Sequence, residues 1–109
     1  MSIVVVRYTT QPDQADENQG LVEKVFAELN ADRPAGLRYA TFKLEDGVSF
    51  VHVASVDTDD GTNPLSSSPA FAEFQRQIGE RVTDGPVAAK ATVVGSYRFW
   101  PRHRTEDVS

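Results

Sequence analysis

Cysteine and histidine, two of the side chains most often used in catalysis, are scarce in this sequence of 109 residues. There is no cysteine, and the two histidines are His52 and His103. The lack of thiols excludes disulfides, cysteine-ligated zinc, iron–sulfur clusters and thiol catalysis, and it predicts a reducing, cytoplasmic location. His52 lies in the apolar run SFVHVA. An imidazole titrates near neutrality, so we take His52 as the candidate catalytic residue; the alternative is a buried neutral histidine with only a structural role.

Other candidate chemistry in the sequence is weaker. The carboxylates of Asp57, Asp59 and Asp60 lie in a polar stretch without the spacing of a calcium loop, so we predict no metal site. No glycine-rich nucleotide motif or nucleophile elbow occurs, so nucleotide binding and serine-hydrolase chemistry have no support and we predict no bound cofactor. Tyr8 and Tyr97 each offer a phenolic hydroxyl to a ligand, although for each we favour a core or rim position with the hydroxyl reaching solvent.

Composition limits the partners of this chain. The content of 39% apolar and 25% charged residues is ordinary for one globular domain of this length. A net charge of −5 argues against a nucleic-acid partner. The apolar run near the N-terminus is too short for a signal peptide or a membrane span. A small basic and aromatic cluster near the C-terminus, which we expect to pack on a partner subunit or to stay solvated, comprises Arg98, Trp100, Arg102, His103 and Arg104.

The first third of the chain reads as a strand followed by a helix. Residues Ser2 to Thr9 alternate around a β-branched run, which predicts a central strand. Asp16 and Glu17 suit the first turn of a helix, and Pro34 and Gly36 end it. The apolar residues between them recur at helical spacing and are Leu21, Val22, Val25, Phe26 and Leu29.

The central part of the chain, residues 36–55, reads as a hairpin around Asp46-Gly47, a strong turn signal. A polar loop over 57–68 follows. Ser68-Pro69 then predicts the start of a second helix, since serine caps a first-turn amide and proline is tolerated at the first helical position. Its buried stripe is predicted to comprise Phe71, Phe74, Ile78 and Val82.

The last part of the chain is predicted to close the fold. Residues 83–86 end the second helix, Lys90 to Trp100 form the last strand, and 101–109 form a polar tail beyond a single domain of residues 1–100. The order strand, helix, strand, strand, helix, strand predicts an α+β, ferredoxin-like fold. Both helices then cover one face of a four-stranded antiparallel sheet, and the open face predicts a homodimer with a second copy.

The turn decides which way His52 points, and the sequence allows two registers. A two-residue turn places His52 opposite Thr41, on the face predicted to meet a second copy. A three-residue turn from Glu45 to Gly47 places His52 opposite Ala40 and toward the helices. The second register separates apolar from mixed residues more cleanly, so it is the one that we favour. Its helix-covered set is Ala40, Phe42, Leu44, Phe50, His52, Ala54 and Val56.

With these elements in this order, the stretches LRYATF, SFVHVA, NPLSSSPAFAEFQ and VGSYRFW resemble the dimeric α/β-barrel superfamily. The resemblance is to the domains similar to antibiotic biosynthesis monooxygenases, and it covers Ser2 to Trp100. It implies a homodimer whose two sheets form a barrel, with a pocket between each sheet and its helices. Some members oxidise polycyclic phenols with O₂ and no cofactor, and others degrade haem.

The residues that the resemblance assigns to chemistry are mostly replaced in this chain. At the positions of the asparagine, tryptophan and ligand histidine of the haem-degrading branch stand Val6, Leu65 and Gln75. The tryptophan that many monooxygenase-like members carry at the end of the third strand is replaced by Val56. Haem degradation is therefore not expected, and His52 is left as this chain's own pocket residue.

Two functions remain open from the sequence. The first is a cofactor-free, monooxygenase-like homodimer that acts on an aromatic metabolite, with His52 orienting the substrate or abstracting a phenolic proton. The second is a non-catalytic dimeric domain that binds a small molecule or simply assembles. The predicted substrate-binding residues are Phe42, Phe50, Phe71, Phe74 and Tyr8.

Overall fold

A computed structural model of the chain describes residues 2–99, which form an α+β, ferredoxin-like domain. The predicted order of elements is confirmed. The elements are β1 (Ser2–Thr10), α1 (Ala15–Asp32), β2 (Leu37–Lys43), β3 (Ser49–Val56), α2 (Pro69–Gln75), α3 (Ile78–Arg81) and β4 (Val82–Ala91). The polar tail predicted over 101–109 lies outside the described residues, as does Trp100.

The four strands form one antiparallel sheet in the order β2-β3-β1-β4. The alternation predicted for β1 is confirmed, because Tyr8 is buried beneath the helices whereas Arg7 is exposed on the other side. We call the side that carries Tyr8 the helix-covered face and the side that carries Arg7 the outer face. Side chains of directly paired residues share a face, so the pairing of Val6 with His52 puts both on the helix-covered face with Tyr8.

Helix α1 buries the predicted apolar stripe against the sheet. Leu21, Val22 and Val25 are buried in one core cluster with Tyr8 and Phe74. Burying an aliphatic side chain of this size contributes about 1.5–3 kcal/mol, so this stripe holds α1 on the sheet. The helix ends at Asp32.

The hairpin between β2 and β3 corrects the predicted register. His52 lies opposite Thr41, so the favoured three-residue turn is wrong. The loop contains four residues, 45–48, because the Leu44 amide donates to the Ser49 carbonyl at 2.9 Å. The Asp46 carboxylate accepts from the Ser49 amide at 2.8 Å and from its hydroxyl at 2.6 Å, which stabilises this longer loop.

The face predicted for this register is also wrong. Tyr39 and Thr41 join His52 on the helix-covered face, and Phe42 lies on the outer face. The Tyr39 ring stacks on Phe26 of α1, with ring centroids 5.0 Å apart. The more apolar alternate set was predicted to be the buried one, whereas the structure packs Tyr39 of the other set against α1.

The second half of the fold departs from prediction in where the last strand begins. Ser68 caps α2 as predicted, accepting from the Phe71 amide at 3.0 Å. Helix α2 ends at Gln75, Gln77 adopts a positive φ of 62°, and β4 begins at Val82 rather than at Lys90. Residues 92–99 lie outside the sheet. The predicted helix end at 83–86 and the predicted strand from Lys90 to Trp100 are therefore wrong.

Gly85 and Pro86 explain that error. They read as helix breakers, but β4 is an edge strand, where a proline without an amide hydrogen is tolerated. Gly85 has a φ of +89° beside a register shift, and a Cβ there would lie 2.8 Å from the Arg7 carbonyl oxygen. Only glycine therefore fits this close approach to β1. No helix within residues 2–99 is long and apolar enough to cross a membrane.

Candidate functional site

A cavity of about 600 Å³ lies between the helix-covered face of the sheet and the segment that carries α2 and α3. A volume of this size is within the range of small-molecule sites. His52 is on its wall, among mostly aliphatic and aromatic neighbours. The lining residues include Val4, Val6, Tyr8, Tyr39, His52, Ala54, Val56, Asn63, Leu65, Phe71, Phe74, Gln75, Ile78 and Pro86.

The His52 ring is buried and both of its nitrogens are hydrogen-bonded. Nε2 lies 2.8 Å from the Tyr8 hydroxyl. Nδ1 lies 2.6 Å from the Tyr39 hydroxyl and 3.0 Å from Thr41 Oγ1. The Phe74 ring packs against the imidazole with centroids 5.3 Å apart. His52, on β3, is therefore fixed in place by contacts from the two neighbouring strands, β1 and β2, and from α2.

The hydrogen bonds continue from Tyr8 into the protein interior. The Asn18 amide nitrogen on α1 donates to the Tyr8 hydroxyl at 2.8 Å, and Arg81 Nε donates to Asn18 Oδ1 at 3.1 Å. Arg81 also donates to the carbonyls of Phe74 at 2.6 Å and Arg76 at 3.2 Å. The guanidinium is buried, and its hydrogen bonds named here go to neutral oxygens. A series of hydrogen bonds therefore connects the buried guanidinium of Arg81 to His52 on the cavity wall.

Burial controls the ionisation of these groups. It lowers the pKa of His52 from 6.5 to about 4, so the ring is neutral at pH 7. Burial also raises the pKa of Tyr8 to about 12, opposed by the hydrogen bond from Asn18 and the charge of Arg81. It raises the pKa of Tyr39 to about 12 as well, opposed by a hydrogen bond from Thr41. The polar patch is therefore uncharged at neutral pH and acts through hydrogen bonds.

The structure brings together three of the five predicted substrate-binding residues. Tyr8, Phe71 and Phe74 line the cavity beside His52. Phe50 is 2% exposed and stacks on Tyr8 at 5.5 Å, so it supports the wall from behind. Phe42 lies on the outer face and is 43% exposed, away from the cavity. Phe42 lies on the opposite face to the one predicted because the observed register of the hairpin pairs Thr41, and not Ala40, with His52.

Sequence reasoning missed Tyr39, Asn18 and Arg81. Tyr39 would have followed from the other register, which pairs it with Ala54 on the face of His52. Asn18 is fully buried on α1, one turn before the apolar stripe. From the sequence alone, a polar residue at this position is predicted to lie on the exposed side of the helix. Arg81 gives no signal either, because its burial depends on the break between α2 and α3.

The cavity does not suit a haem iron. Val6, Leu65 and Gln75 line it, at the positions that the resemblance assigns to the haem-degrading set. Its one imidazole, His52, has both nitrogens engaged within the protein. Across residues 2–99 no three His, Asp or Glu side chains lie together as a metal-binding group.

Comparison with solved structures supports the same fold. Rv0793 from Mycobacterium tuberculosis superposes with a TM-score of 0.69 at 19% identity, covering 87% of this chain and 96% of that one. A protein described as an antibiotic biosynthesis monooxygenase gives a TM-score of 0.69 at 16% identity, covering 87% of this chain and 100% of that one. SnoaB, a cofactor-independent oxygenase from Streptomyces nogalater, gives 0.64 at 17% identity, covering 89% and 96%.

These likenesses define the class of fold. The chain has the ferredoxin-like fold of proteins described as antibiotic biosynthesis monooxygenases, as the sequence resemblance predicts. No family model matches the sequence, and no curated protein does. At identities of 16–19% the superpositions carry the fold and not the activity.

Proposed function

We propose that the cavity binds a planar aromatic metabolite and that the protein acts on it as a cytoplasmic, homodimeric, cofactor-independent monooxygenase. One observation carries the proposal: a cavity of about 600 Å³ with a mostly apolar and aromatic lining, on whose wall His52 is hydrogen-bonded to the Tyr8 and Tyr39 hydroxyls. Phe71 and Phe74 supply aromatic surface beside that patch. The similarity in fold to SnoaB, a cofactor-independent oxygenase, supports oxygen chemistry.

In this proposal His52 orients the substrate and does not abstract its proton. A base with a pKa of about 4 is poorly matched to a phenol. With a phenol pKa near 10, the transfer would cost about 8 kcal/mol. The substrate therefore enters as a phenolate or another electron-rich oxyanion, and the Tyr39 hydroxyl, held by His52, positions its oxygen.

The proposed reaction balances with O₂ as the only co-reactant. One oxygen atom bonds to a ring carbon of the phenolate, and the O–O bond breaks. The hydrogen of that carbon leaves with the second oxygen atom as hydroxide. The ring supplies the four electrons that reduce O₂ and becomes a quinone. The protein contributes orientation and exclusion of water by the aromatic wall.

Oxygen uptake tests this proposal. Protein treated with a chelator is given a panel of polycyclic phenols, and incorporation of ¹⁸O from ¹⁸O₂ is followed by mass spectrometry. We expect Tyr39→Phe to lower the rate at least tenfold, while Glu23→Gln on the exposed face of α1 leaves it unchanged. Binding of phenols without oxygen uptake would contradict the oxygenase and favour the second candidate.

The second candidate is a non-catalytic domain that binds a small aromatic molecule. It is favoured by the two occupied nitrogens of His52, because a fully hydrogen-bonded neutral imidazole also suits a purely structural role. Under this alternative, His52→Gln lowers stability and leaves the dissociation constant for aromatic ligands unchanged. Calorimetric titration of both proteins separates the two functions.

The homodimer is part of the proposal and rests on the outer face of the sheet. Phe42 and Val87 are 43% and 52% exposed there. These exposed apolar side chains on the open sheet face support the proposal, because an interaction surface needs apolar area that the chain itself leaves uncovered. Light scattering at micromolar concentration is expected to give twice the mass of the chain, and a monomer would contradict the dimer.

A further inference from the structure

In the hydrogen bonds that lead from Arg81 to His52, each group donates to the next one along. Arg81 fixes this order of donors and acceptors. A guanidinium has donors only, so Arg81 Nε donates to Asn18 at 3.1 Å. The Asn18 amide therefore turns its oxygen toward Arg81 and its nitrogen toward Tyr8. That nitrogen donates to the Tyr8 hydroxyl at 2.8 Å.

Tyr8 passes the direction on to the imidazole. Its oxygen already accepts from Asn18, and its own proton needs an acceptor because the side chain is 1% exposed. His52 Nε2 lies at 2.8 Å and is that acceptor. Nε2 is then unprotonated, and the neutral ring carries its hydrogen on Nδ1.

Nδ1 in turn acts on Tyr39. It donates toward the Tyr39 hydroxyl at 2.6 Å and toward Thr41 Oγ1 at 3.0 Å. The hydrogen bond with Thr41 opposes the rise in the pKa of Tyr39, as a bond that the Tyr39 oxygen accepts does. The Tyr39 oxygen is thus an acceptor on its protein side, and its own proton points into the cavity that Tyr39 lines.

We propose that this chain of bonds makes Tyr39 a hydrogen-bond donor to the cavity, and that the site selects aromatic ligands that present an acceptor oxygen to it. The inference rests on the proposed function in taking the cavity as an aromatic site. Asn18 and Arg81 touch no ligand in this account. They are positioning residues that set the tautomer of His52 and, through it, the direction of the Tyr39 hydroxyl.

Three probes of one shape test the selectivity by titration calorimetry. 9-Fluorenone carries only an acceptor oxygen, 9-fluorenol carries a hydroxyl at the same carbon, and fluorene carries neither. We expect fluorenone to bind the wild-type protein about tenfold more tightly than fluorene, as one added hydrogen bond allows. Tyr39→Phe is expected to abolish that preference while leaving the affinity for fluorene unchanged.

Asn18→Asp is expected to exchange the donor and acceptor roles in the hydrogen bonds from residue 18 to Tyr39. A carboxylate accepts from Arg81 and from Tyr8, so Tyr8 then accepts from Nε2 and Nδ1 accepts from Tyr39. The Tyr39 proton turns away from the cavity, and fluorenol overtakes fluorenone. Gln19→Glu adds the same charge one position along α1 and is the matched control. The side chain of Gln19 is hydrogen-bonded to Glu23 and Lys43, which take no part in the hydrogen bonds between Arg81 and Tyr39.

The ¹⁵N chemical shifts of the His52 ring separate this inference from the proposed function. Protonation at Nδ1 in the wild-type protein and at Nε2 in Asn18→Asp supports the inference. Protonation at Nε2 in the wild-type protein overturns it, as does equal binding of fluorenone and fluorene. If none of the three probes binds, the proposed function fails, and the ring shifts still decide the direction of the chain.

Discussion

The two faces of the sheet are built from alternate residues of the same strands, but they differ in whether their buried polar groups have hydrogen-bond partners. On the helix-covered face, His52 is 5% exposed and both of its ring nitrogens have partners within the chain. On the outer face, Ser55 is 2% exposed and its hydroxyl has no partner among residues 2–99. One face is completed by the chain's own helices. The other carries exposed apolar side chains that a second chain would cover, beside a hydroxyl that the chain itself buries without a partner.

The largest expected effect concerns the outer face. Val53→Glu places a carboxylate among apolar side chains twice in a symmetric dimer, and burying an unpaired charge costs several kcal/mol. We expect the dissociation constant of the proposed dimer to rise at least a thousandfold, about 4 kcal/mol, measured by analytical ultracentrifugation. Ala72→Glu, on the exposed side of α2, serves as the control. An unchanged dimer would place the interface elsewhere.

The next effect concerns the helix-covered face. Asn18→Leu leaves the buried Arg81 Nε and the Tyr8 hydroxyl without their partner, and we expect a loss of about 3 kcal/mol in the free energy of unfolding. Urea denaturation measures it. Gln19→Leu, half-buried on the same helix, should cost far less. Equal losses for the two variants would show that the hydrogen-bond chain adds no stability.

Acid should weaken the helix-covered face through His52. The folded pKa of about 4 lies below the ordinary 6.5, so the unfolded state binds more protons between these values. Stability is complete above pH 6.5 and falls as the pH drops toward 4. The linkage predicts a loss of about 2 kcal/mol between pH 7.5 and pH 5.

The variant His52→Gln isolates this term, since the tyrosines beside the ring have pKa values of about 12 and do not titrate in this window. Urea denaturation at the two pH values should give a smaller difference for the variant than for the wild-type protein. Identical pH dependence in the two proteins would contradict the buried, neutral histidine.

The smallest expected effect is the change in stability on removing the Ser55 hydroxyl from the outer face. Ser55→Ala removes a buried hydroxyl without a partner, so we expect the free energy of unfolding to rise by about 1 kcal/mol. Ser66→Ala at an exposed position is the control and should change little. A decrease for Ser55→Ala would contradict the assignment of this buried hydroxyl as unpartnered.

Local patterns predicted the fold because they depend on neighbours in sequence. The alternation of β1, the stripe of α1 and the Ser68 cap are all confirmed. The last strand failed because Gly85 and Pro86 have the same local signature in a helix end and in an edge strand with a bulge. What distinguishes the two is the approach of Gly85 to Arg7, a contact distant in sequence.

The candidate site was predicted less completely because it depends on register and burial. His52 stands out by residue type alone, whereas its partner Tyr39 depends on whether the hairpin loop has three residues or four. Asn18 and Arg81 meet across 63 residues of sequence. No pattern within either segment indicates that contact. The chemistry of the cavity wall therefore becomes visible only with the tertiary structure.

The most direct test of the account asks which face receives an aromatic ligand. The probe is a methyl-labelled protein titrated with 9-fluorenone and followed by NMR. We predict shifts at Val4, Val6 and Ile78, which line the cavity, and none at Val51 or Val53 on the outer face. Shifts confined to the outer face, or no shifts at all, would contradict the assignment of the helix-covered cavity as the functional site.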